Sequence, residues 1–189
     1  MTRPARLYLI HQYSREVPVP SGALLMSSGC YLVQTDDGQN VLIDSGMPTG
    51  VDSPGPTVEE SPEILMQLED LGVTPHDVNT VICTHYDLDH VGRHERFINA
   101  AHIVQRRHYE HAAAGAQRFA AGRPHWDAPG TRRRLVEGDT ELFDGLRLIE
   151  TSGHAPGHQS VLMALPETGK VLLACIPSAI TRSCWIAFA

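Results

Sequence analysis

Short apolar segments recur along the chain, and each is bounded by residues that favour turns. Eight of them alternate or run continuously in the way that strands do: 7–10, 23–34, 41–43, 78–83, 102–104, 146–149, 161–164 and 171–174. Asp37-Gly38 separates the second segment from the third and predicts a hairpin turn. Residues 167–170 predict a second hairpin between the last two strands.

Two helices are predicted between these strands. Pro62 suits the first turn of one helix, which Gly72 ends. Four residues form its apolar stripe: Ile64, Leu65, Leu68 and Leu71. An Ala-rich second helix is predicted over 107–120, while 47–57 and 122–130 have the Gly and Pro content of loops. This order of elements predicts an α+β domain with helices packed outside sheets.

Composition limits the classes of function. The 189 residues are 42% hydrophobic and 20% charged, which favours a folded globular domain over a disordered or fibrous chain. The net charge of -7 argues against binding of a nucleic-acid backbone, and the basic cluster at 132–134 is predicted to be a solvated face. No segment is apolar for long enough to span a membrane. Four cysteines without a CxxC pair predict reduced thiols and a cytoplasmic location.

The densest group of potential metal ligands follows the predicted strand at 78–83. His85, Asp87, Asp89 and His90 lie within six residues of one another, just before Gly92. A strand end can deliver such side chains to one sheet edge, and imidazole and carboxylate groups suit zinc, manganese or iron. The alternative is a polar turn that contains His and Asp only because turns favour such residues. The density of the group and its place after a strand favour a metal site.

Two further segments can contribute to this site. His154 lies in a Gly-rich turn after the strand at 146–149, and the glycines at 153 and 157 allow a sharp bend that exposes its imidazole. We therefore predict that His154 is a metal ligand rather than a loop cap, and that His158 supports a ligand or has a structural role. Asp44 ends the strand at 41–43, and it either orients a metal-bound histidine or caps the following turn.

In this order, the three segments resemble the metallo-β-lactamase superfamily, whose signature is HxHxDH followed by a Gly-His turn and a later aspartate. Similarity to its N-acyl-homoserine lactone lactonases, which are quorum-quenching enzymes, extends to 30–34, 43–48, 103–106 and 153–160. It covers the chain from about residue 7 to residue 174. The resemblance implies an αββα sandwich over residues 1–174, incomplete at its C-terminus, with an atypical tail over 175–189.

The resemblance also implies a ligand set. His85 matches the first histidine of the signature, Asp89 its aspartate, His90 its last histidine and His154 the later ligand. Asp87 stands where the family pattern usually has histidine, but a carboxylate can still bind zinc. His85, Asp87 and His154 would then hold a first ion and leave one position open for water. The implied cofactor is one or two zinc ions, with manganese or iron as alternatives.

The second metal position departs further from the family. A bridging aspartate would follow the strand at 171–174, but residues 175–178 read Cys-Ile-Pro-Ser. A last histidine ligand and a substrate-contacting tyrosine are also absent from 179–189. We expect a truncated or frame-shifted reading frame. Resequencing that finds no family-like continuation in any frame would refute this.

For function, the resemblance implies a metal-dependent hydrolase that opens the ester bond of a lactone, with N-acyl-homoserine lactones as the first candidates. Asp89 would orient the attacking water and deliver a proton to the leaving alkoxide. The expected partner is a small-molecule lactone, and the sequence leaves the oligomeric state open. One alternative is another hydrolase of the superfamily that acts on a thioester or a different lactone. The other is a catalytically inactive metal-binding fragment.

Overall fold

The computed structural model describes residues 1–20, 22–51, 57–174 and 185–188, which form two β-sheets and short helices. The strands are β1 (Pro4–Val19), β2 (Gly22–Thr35), β3 (Asn40–Ile43), β4 (Thr57–Glu60), β5 (Val78–Ile82), β6 (Ala101–Gln105), β7 (Arg132–Val136), β8 (Thr140–Phe143), β9 (Leu146–Glu150), β10 (Gln159–Leu165), β11 (Gly169–Ala174) and β12 (Trp185–Phe188). The α-helices are α1 (Ile64–Asp70), α2 (Leu88–Val91), α3 (Arg106–Ala113) and α4 (Arg123–Trp126). Single 3-10 turns lie at Pro75–Asp77, His94–Arg96 and Gln117–Phe119.

The first sheet is mixed and the second is antiparallel. The strand order is β4-β1-β2-β3-β5-β6-β7 in the first sheet and β12-β11-β10-β9-β8 in the second. β1, β2 and β3 pair antiparallel, whereas β3, β5, β6 and β7 pair parallel. Helical connections separate the parallel strands, as parallel pairing requires.

The main core lies between the two sheets. Alternation along β2 sends Tyr31 and Val33 into this core, while Cys30 and Leu32 pack on the opposite face of the sheet. The second sheet contributes alternate residues of its own: Leu146, Leu148, Val161, Met163, Val171 and Leu173. Both faces of β2 are therefore buried, and the chain forms a layered sandwich with helices outside the first sheet.

The first predicted helix is confirmed as α1. Ile64 and Leu68 are buried in the core on the outer face of the first sheet, against residues such as Leu42. Leu71 caps the helix and stays partly exposed. Gly72 follows with a positive φ of 75°, which explains why the helix ends there.

The second predicted helix is shorter than expected. α3 ends at Ala113, and Gly115 adopts a φ of 96°, so the Ala-rich pattern does not continue as one helix. The chain re-forms a single 3-10 turn at Gln117–Phe119. Phe119 anchors this turn in the core, where it is almost fully buried. Arg118 lies in the same turn and is therefore held in place at its base.

The eight predicted strands are all present, and four further strands extend the sheets. β1 runs on to Val19, and β4, β7, β8 and β12 have no clear apolar alternation. β7 contains the basic cluster, which pairs with β6 at the edge of the first sheet. Residues 122–130, predicted as a loop, include α4.

Beyond the predicted domain boundary at residue 174, β12 pairs antiparallel with β11, with Ala174 opposite Trp185. Residues 175–178, where the resemblance places a bridging aspartate, lie outside the described residues. The boundary at 174 stays a prediction. Among the described residues, none of the helices has the length and hydrophobicity needed to cross a bilayer.

Candidate metal centre

Two loops, one from each sheet, meet at the same edge of the sandwich. The first is residues 84–92, which continues from β5, and the second is residues 151–158, which joins β9 to β10. The backbone N–H of Gln159 donates to the carbonyl of Thr84 (3.1 Å), and its side-chain amide donates to the carbonyl of Cys83 (2.7 Å). Gln159 is fully buried, so it joins the two loops from inside the molecule.

Three of the predicted ligands converge at this edge. Asp87 Oδ2 lies 3.1 Å from His85 Nε2 and 3.1 Å from His154 Nε2. One ligand atom from each of the three residues lies within 4.8 Å of the other two. The His85 and His154 rings are 4.9 Å apart between centroids. The structure therefore brings together side chains that are 67 residues apart in the chain.

A relay of hydrogen bonds sets the orientation of His85. The Thr84 hydroxyl donates to Asp44 Oδ2 (2.7 Å), so its oxygen accepts from the His85 Nδ1–H (3.0 Å). This arrangement leaves the Nε2 lone pair facing Asp87 and His154. Burial, followed by the nearby His90, holds the pKa of His85 well below its usual value. His85 is thus a neutral imidazole, which is the form that binds metals.

His90 lies beside His85, with 4.0 Å between ring centroids. Its Nδ1 donates to Asp44 Oδ2 (2.7 Å), and its Nε2 lies 3.6 Å from Asp89 Oδ2. Burial alone would lower the pKa of His90, but the carboxylates of Asp89 and Asp44 outweigh it and raise the pKa to about 10. A site that favours a proton so strongly also favours a cation, because the same carboxylates attract both.

Asp44 is the hub of these contacts. Its Oδ2 accepts from Thr84 and His90, and its Oδ1 accepts the backbone N–H of Thr84 (2.8 Å). Asp44 is buried and has a φ of 60°, the one positive φ of a non-glycine residue in the described part of the chain. Strained backbone of this kind is concentrated at functional sites. The sequence leaves two roles open for Asp44, to orient a histidine or to cap the turn. Its side-chain contacts match the first role.

The turn that carries Asp89 and His90 is packed closely on the loop after β3. The N–H of Ser45 donates to the His90 carbonyl (2.7 Å), and the N–H of Gly92 donates to the Gly46 carbonyl (2.8 Å). A Cβ at Gly92 would come within 2.2 Å of the Pro48 backbone nitrogen. Only glycine fits this close approach of two backbones.

His108, on α3, clamps the two loops to each other. Its Nε2 accepts the backbone N–H of Tyr86 (2.8 Å), and its Nδ1–H donates to the Pro156 carbonyl (2.8 Å). Burial lowers the pKa of His108 to about 4, although the hydrogen bond to Pro156 opposes that shift. His108 lies outside the two ligand-rich segments, so the sequence gives no indication of this role.

His158, predicted as a supporting residue, is buried behind the site. Its Nδ1 is 2.8 Å from the Thr151 hydroxyl, which also contacts the Ser160 hydroxyl (2.9 Å). Its ring centroid lies 5.1 Å from that of His85. The structure therefore places His158 against a candidate ligand and separate from the three converging ligand atoms.

Arg118 is a further site residue that the sequence does not indicate. Its Nε and NH2 groups donate to both oxygens of Asp87, at 2.7 and 2.5 Å. NH1 donates to the His154 carbonyl (2.6 Å), and NH2 also contacts His154 Nε2. Burial would raise the pKa of the Asp87 carboxyl, but its close contacts with His154, His85 and Arg118 hold that pKa well below its usual value. Asp87 is therefore ionised.

The donor set fits a divalent transition metal. Two imidazoles and one carboxylate whose ligand atoms all lie within 4.8 Å of one another are a set of the kind that holds a catalytic zinc ion with an open fourth position. For a second ion, the described residues provide Asp89 and His90 beside the first position.

Comparison with known proteins agrees with this geometry. The sequence profile of the metallo-beta-lactamase superfamily matches residues 25–174, which is most of the chain. The chain belongs to this superfamily. The match includes both loops of the candidate metal centre, and it confirms the fold and family expected from the motifs at 84–92 and 153–158.

Similar members of the superfamily are lactonases. An N-acyl homoserine lactonase from a Bacillus species is 33% identical over 181 residues, which is 89% of this chain and 70% of that protein. The N-acyl homoserine lactonase AttM of Azorhizobium caulinodans is 37% identical over 184 residues, covering 90% of this chain and 68% of that protein.

Solved structures of the superfamily match the fold closely. A quorum-quenching N-acyl homoserine lactone lactonase superposes with a TM-score of 0.78 at 31% identity, over 90% of this chain and 73% of that one. An N-acyl homoserine lactone hydrolase has a TM-score of 0.76 at 29% identity, over 90% and 75%. That structure holds the product N-hexanoyl-L-homoserine at its catalytic metal centre.

Proposed function

We propose that this chain is a metal-dependent hydrolase that opens the ester bond of a lactone, with N-acyl-homoserine lactones as substrates. The observation that carries the proposal is the convergence of His85, Asp87 and His154 from two different sheets on one point. The lactonase activity of relatives that are 33–37% identical supports the substrate class. Fold alone would not, because one fold serves many reactions.

The metal supplies the chemistry that the side chains lack. When bound, a divalent cation would polarise the ester carbonyl and activate water at neutral pH. His85 and His154 would hold it through Nε2 and Asp87 through Oδ2. Asp44 and Thr84 would fix the imidazoles of His90 and His85 in the orientation that their ligand role needs.

Asp89 is the proposed proton carrier. Its carboxylate is partly exposed and lies beside His90, at the edge where substrate would enter. In the reaction, water oxygen forms a bond to the acyl carbon and the ring C–O bond breaks. The proton that water loses passes through Asp89 to the leaving alkoxide, which gives the open-chain N-acyl homoserine.

Zinc is the proposed metal, with manganese or iron as alternatives, because imidazole and carboxylate ligands suit all three. A second ion would rest on Asp89 and His90. We also propose a cytoplasmic location, which the buried free thiols of Cys30 and Cys83 support. The substrate is a small molecule, and we expect neither nucleic acid nor membrane as a partner.

A lactone-opening assay tests the proposal. Zinc-loaded protein is incubated with N-hexanoyl-homoserine lactone, and the acid released by ring opening is titrated at constant pH. We expect metal-dependent release that a chelator abolishes. Asp89→Asn should lower kcat by roughly 100-fold or more while the ion held by His85, Asp87 and His154 stays bound, because a positioned carboxylate contributes about that much to proton transfer.

A substrate panel separates the alternatives. Opening of other lactones or cleavage of thioesters, with acyl-homoserine lactones untouched, would replace the proposed substrate by another within the superfamily. Zinc bound at one or two ions per chain without any hydrolysis would identify an inactive metal-binding protein instead.

A further inference from the structure

Arg118 occupies the candidate metal centre with its own positive charge. Its guanidinium makes a two-pronged contact with Asp87, at 2.7 and 2.5 Å, and its NH2 group also contacts His154 Nε2. An arginine N–H can only donate, so Asp87 Oδ2 and His154 Nε2 offer it their lone pairs. These are the same two lone pairs that a metal ion in this position would take.

We propose that Arg118 is an internal competitor of the metal, so that the Arg118–Asp87 pair and a metal held by Asp87 and His154 exclude each other. The inference rests on the proposed metal centre. Two further observations support it, one on the surroundings of Asp87 and the other on the freedom of Arg118 to leave.

Without a cation nearby, Asp87 would be a poorly solvated negative charge. Its side chain is only 18% exposed, and Arg118 is the cation that contacts both of its oxygens. An unpaired carboxylate in such a place is strongly destabilising. The guanidinium of Arg118 removes that cost in the metal-free protein and holds Asp87 next to His85 and His154. The metal must therefore displace a bound charge and cannot simply enter an open site.

Arg118 can leave without movement of the backbone. Its side chain is 42% exposed, whereas the neighbouring Phe119 is buried and fixes the turn. A long arginine side chain that is anchored at its base can swing its guanidinium into solvent. The pairing of Arg118 with Asp87, at a position where the family pattern usually has an uncharged histidine, thus lowers metal affinity through charge and through occupied lone pairs.

Zinc titration of the metal-free chain tests this, with a chromophoric chelator as competitor. Arg118→Gln should bind zinc roughly 10- to 100-fold more tightly than wild type, since hydrogen bonds to charged groups contribute about that much. The same variant should unfold at a lower temperature than wild type when zinc is absent. Replacement of a residue that merely supports the fold would lower both the zinc affinity and the unfolding temperature. Higher zinc affinity together with a lower unfolding temperature is therefore specific to competition.

Arg123→Gln is the matched control. Arg123 is exposed and pairs at 3.3 Å with Asp127, which follows α4, and its replacement changes the net charge by the same amount. It should leave zinc affinity within about twofold of wild type. In addition, the side-chain Nε–H resonance of Arg118 should move to the position of a solvated arginine when zinc is added to wild type.

Equal or weaker zinc binding by Arg118→Gln would overturn the inference, as would an Arg118 resonance that zinc leaves in place. If neither protein binds zinc, the metal centre itself is wrong. A chain that binds zinc and shows the predicted change, yet opens no lactone, would refute the proposed reaction and leave the competition intact.

Discussion

At the scale of single residues, Asp44 decides which nitrogen of His90 faces the metal position. Its Oδ2 accepts from His90 Nδ1, which keeps a proton on that nitrogen, so Nε2 is the nitrogen that gives up its proton when a metal binds. Asp44→Asn preserves the shape and tolerates the positive φ. Its amide nitrogen, however, would donate to Nδ1 and move the proton to Nε2, as in a catalytic triad whose aspartate is replaced by asparagine.

We therefore expect Asp44→Asn to fold normally but to bind zinc roughly 10- to 100-fold more weakly than wild type. Imidazole 15N shifts report the tautomer of His90, and chelator competition gives the affinity. Asp70→Asn, which removes an exposed carboxylate at the end of α1, should change neither. Unchanged zinc affinity in Asp44→Asn would show that Asp44 serves the turn alone.

His108 makes the stability of the loop clamp depend on pH. Its folded pKa of about 4 lies below the 6.5 of an unperturbed histidine. Because the unfolded chain takes up a proton first as pH falls, the stability contributed by neutral His108 is complete above pH 6.5. It is lost progressively between 6.5 and 4.

Replacement of His108 by glutamine removes this titration. The difference in unfolding free energy between wild type and His108→Gln should therefore shrink by about 2 kcal/mol between about pH 7.5 and about pH 5. Urea unfolding at both pH values measures it. A constant difference for His108→Gln at the two pH values would contradict the clamp.

The sequence indicates the candidate metal ligands more clearly than the residues that hydrogen-bond to them or to their loops. His85, Asp87 and His154 could be predicted because imidazole and carboxylate groups that cluster after strands favour a metal site. Thr84, His108 and Arg118 contact the site through hydroxyl, imidazole and guanidinium groups that are common on any surface. Their contacts depend on tertiary distances that no local pattern records.

At the scale of elements, the loop at 151–158 owes its shape to one of its two glycines. Gly157 has a φ of 67°, and a Cβ there would lie 2.6 Å from the His108 backbone nitrogen. Gly153 has nothing within 4 Å of a Cβ and no positive φ. The two glycines look alike in the sequence, but only Gly157 lets the loop pack against the start of α3.

We expect Gly157→Ala to destabilise the protein by about 2–4 kcal/mol, from backbone strain and overpacking together. Gly153→Ala, in the same loop, should stay within about 1 kcal/mol of wild type. Urea unfolding of both variants provides the comparison. A similar loss in the two would mean that the loop does not depend on the close approach at His108.

The elements that the sequence predicts are those with a buried face. β2, β5 and α1 have clear apolar periodicity because the core selects it. β7 carries Arg132, Arg133 and Arg134 in a row, and its strand conformation comes from pairing with β6. The end of α3 was predicted too late, since alanine favours helix and the break depends on the positive φ of Gly115.

At the scale of the whole molecule, the metal position joins the two halves of the sandwich. His85 follows β5 of the first sheet, while His154 precedes β10 of the second. The two sheets also meet through the apolar core, the hydrogen bonds of Gln159 and the contacts of His108. A bound ion would be a cross-link between sheets at the edge where the core ends.

Zinc should therefore stabilise the molecule as a unit. At a free concentration 100 times its Kd, it should raise the free energy of unfolding by about 2.7 kcal/mol. Because both sheets supply ligands, amide exchange should slow in β5 and in β10 alike, and His154→Ala should abolish the effect in both strands. His11→Ala removes a partly buried histidine of β1 that is hydrogen-bonded to the Ser61 hydroxyl, and it should leave the zinc effect intact. Slower exchange confined to residues 84–92 would mean that His154 does not hold the ion, because a cation bound by that loop alone slows local opening there without holding the opposite loop.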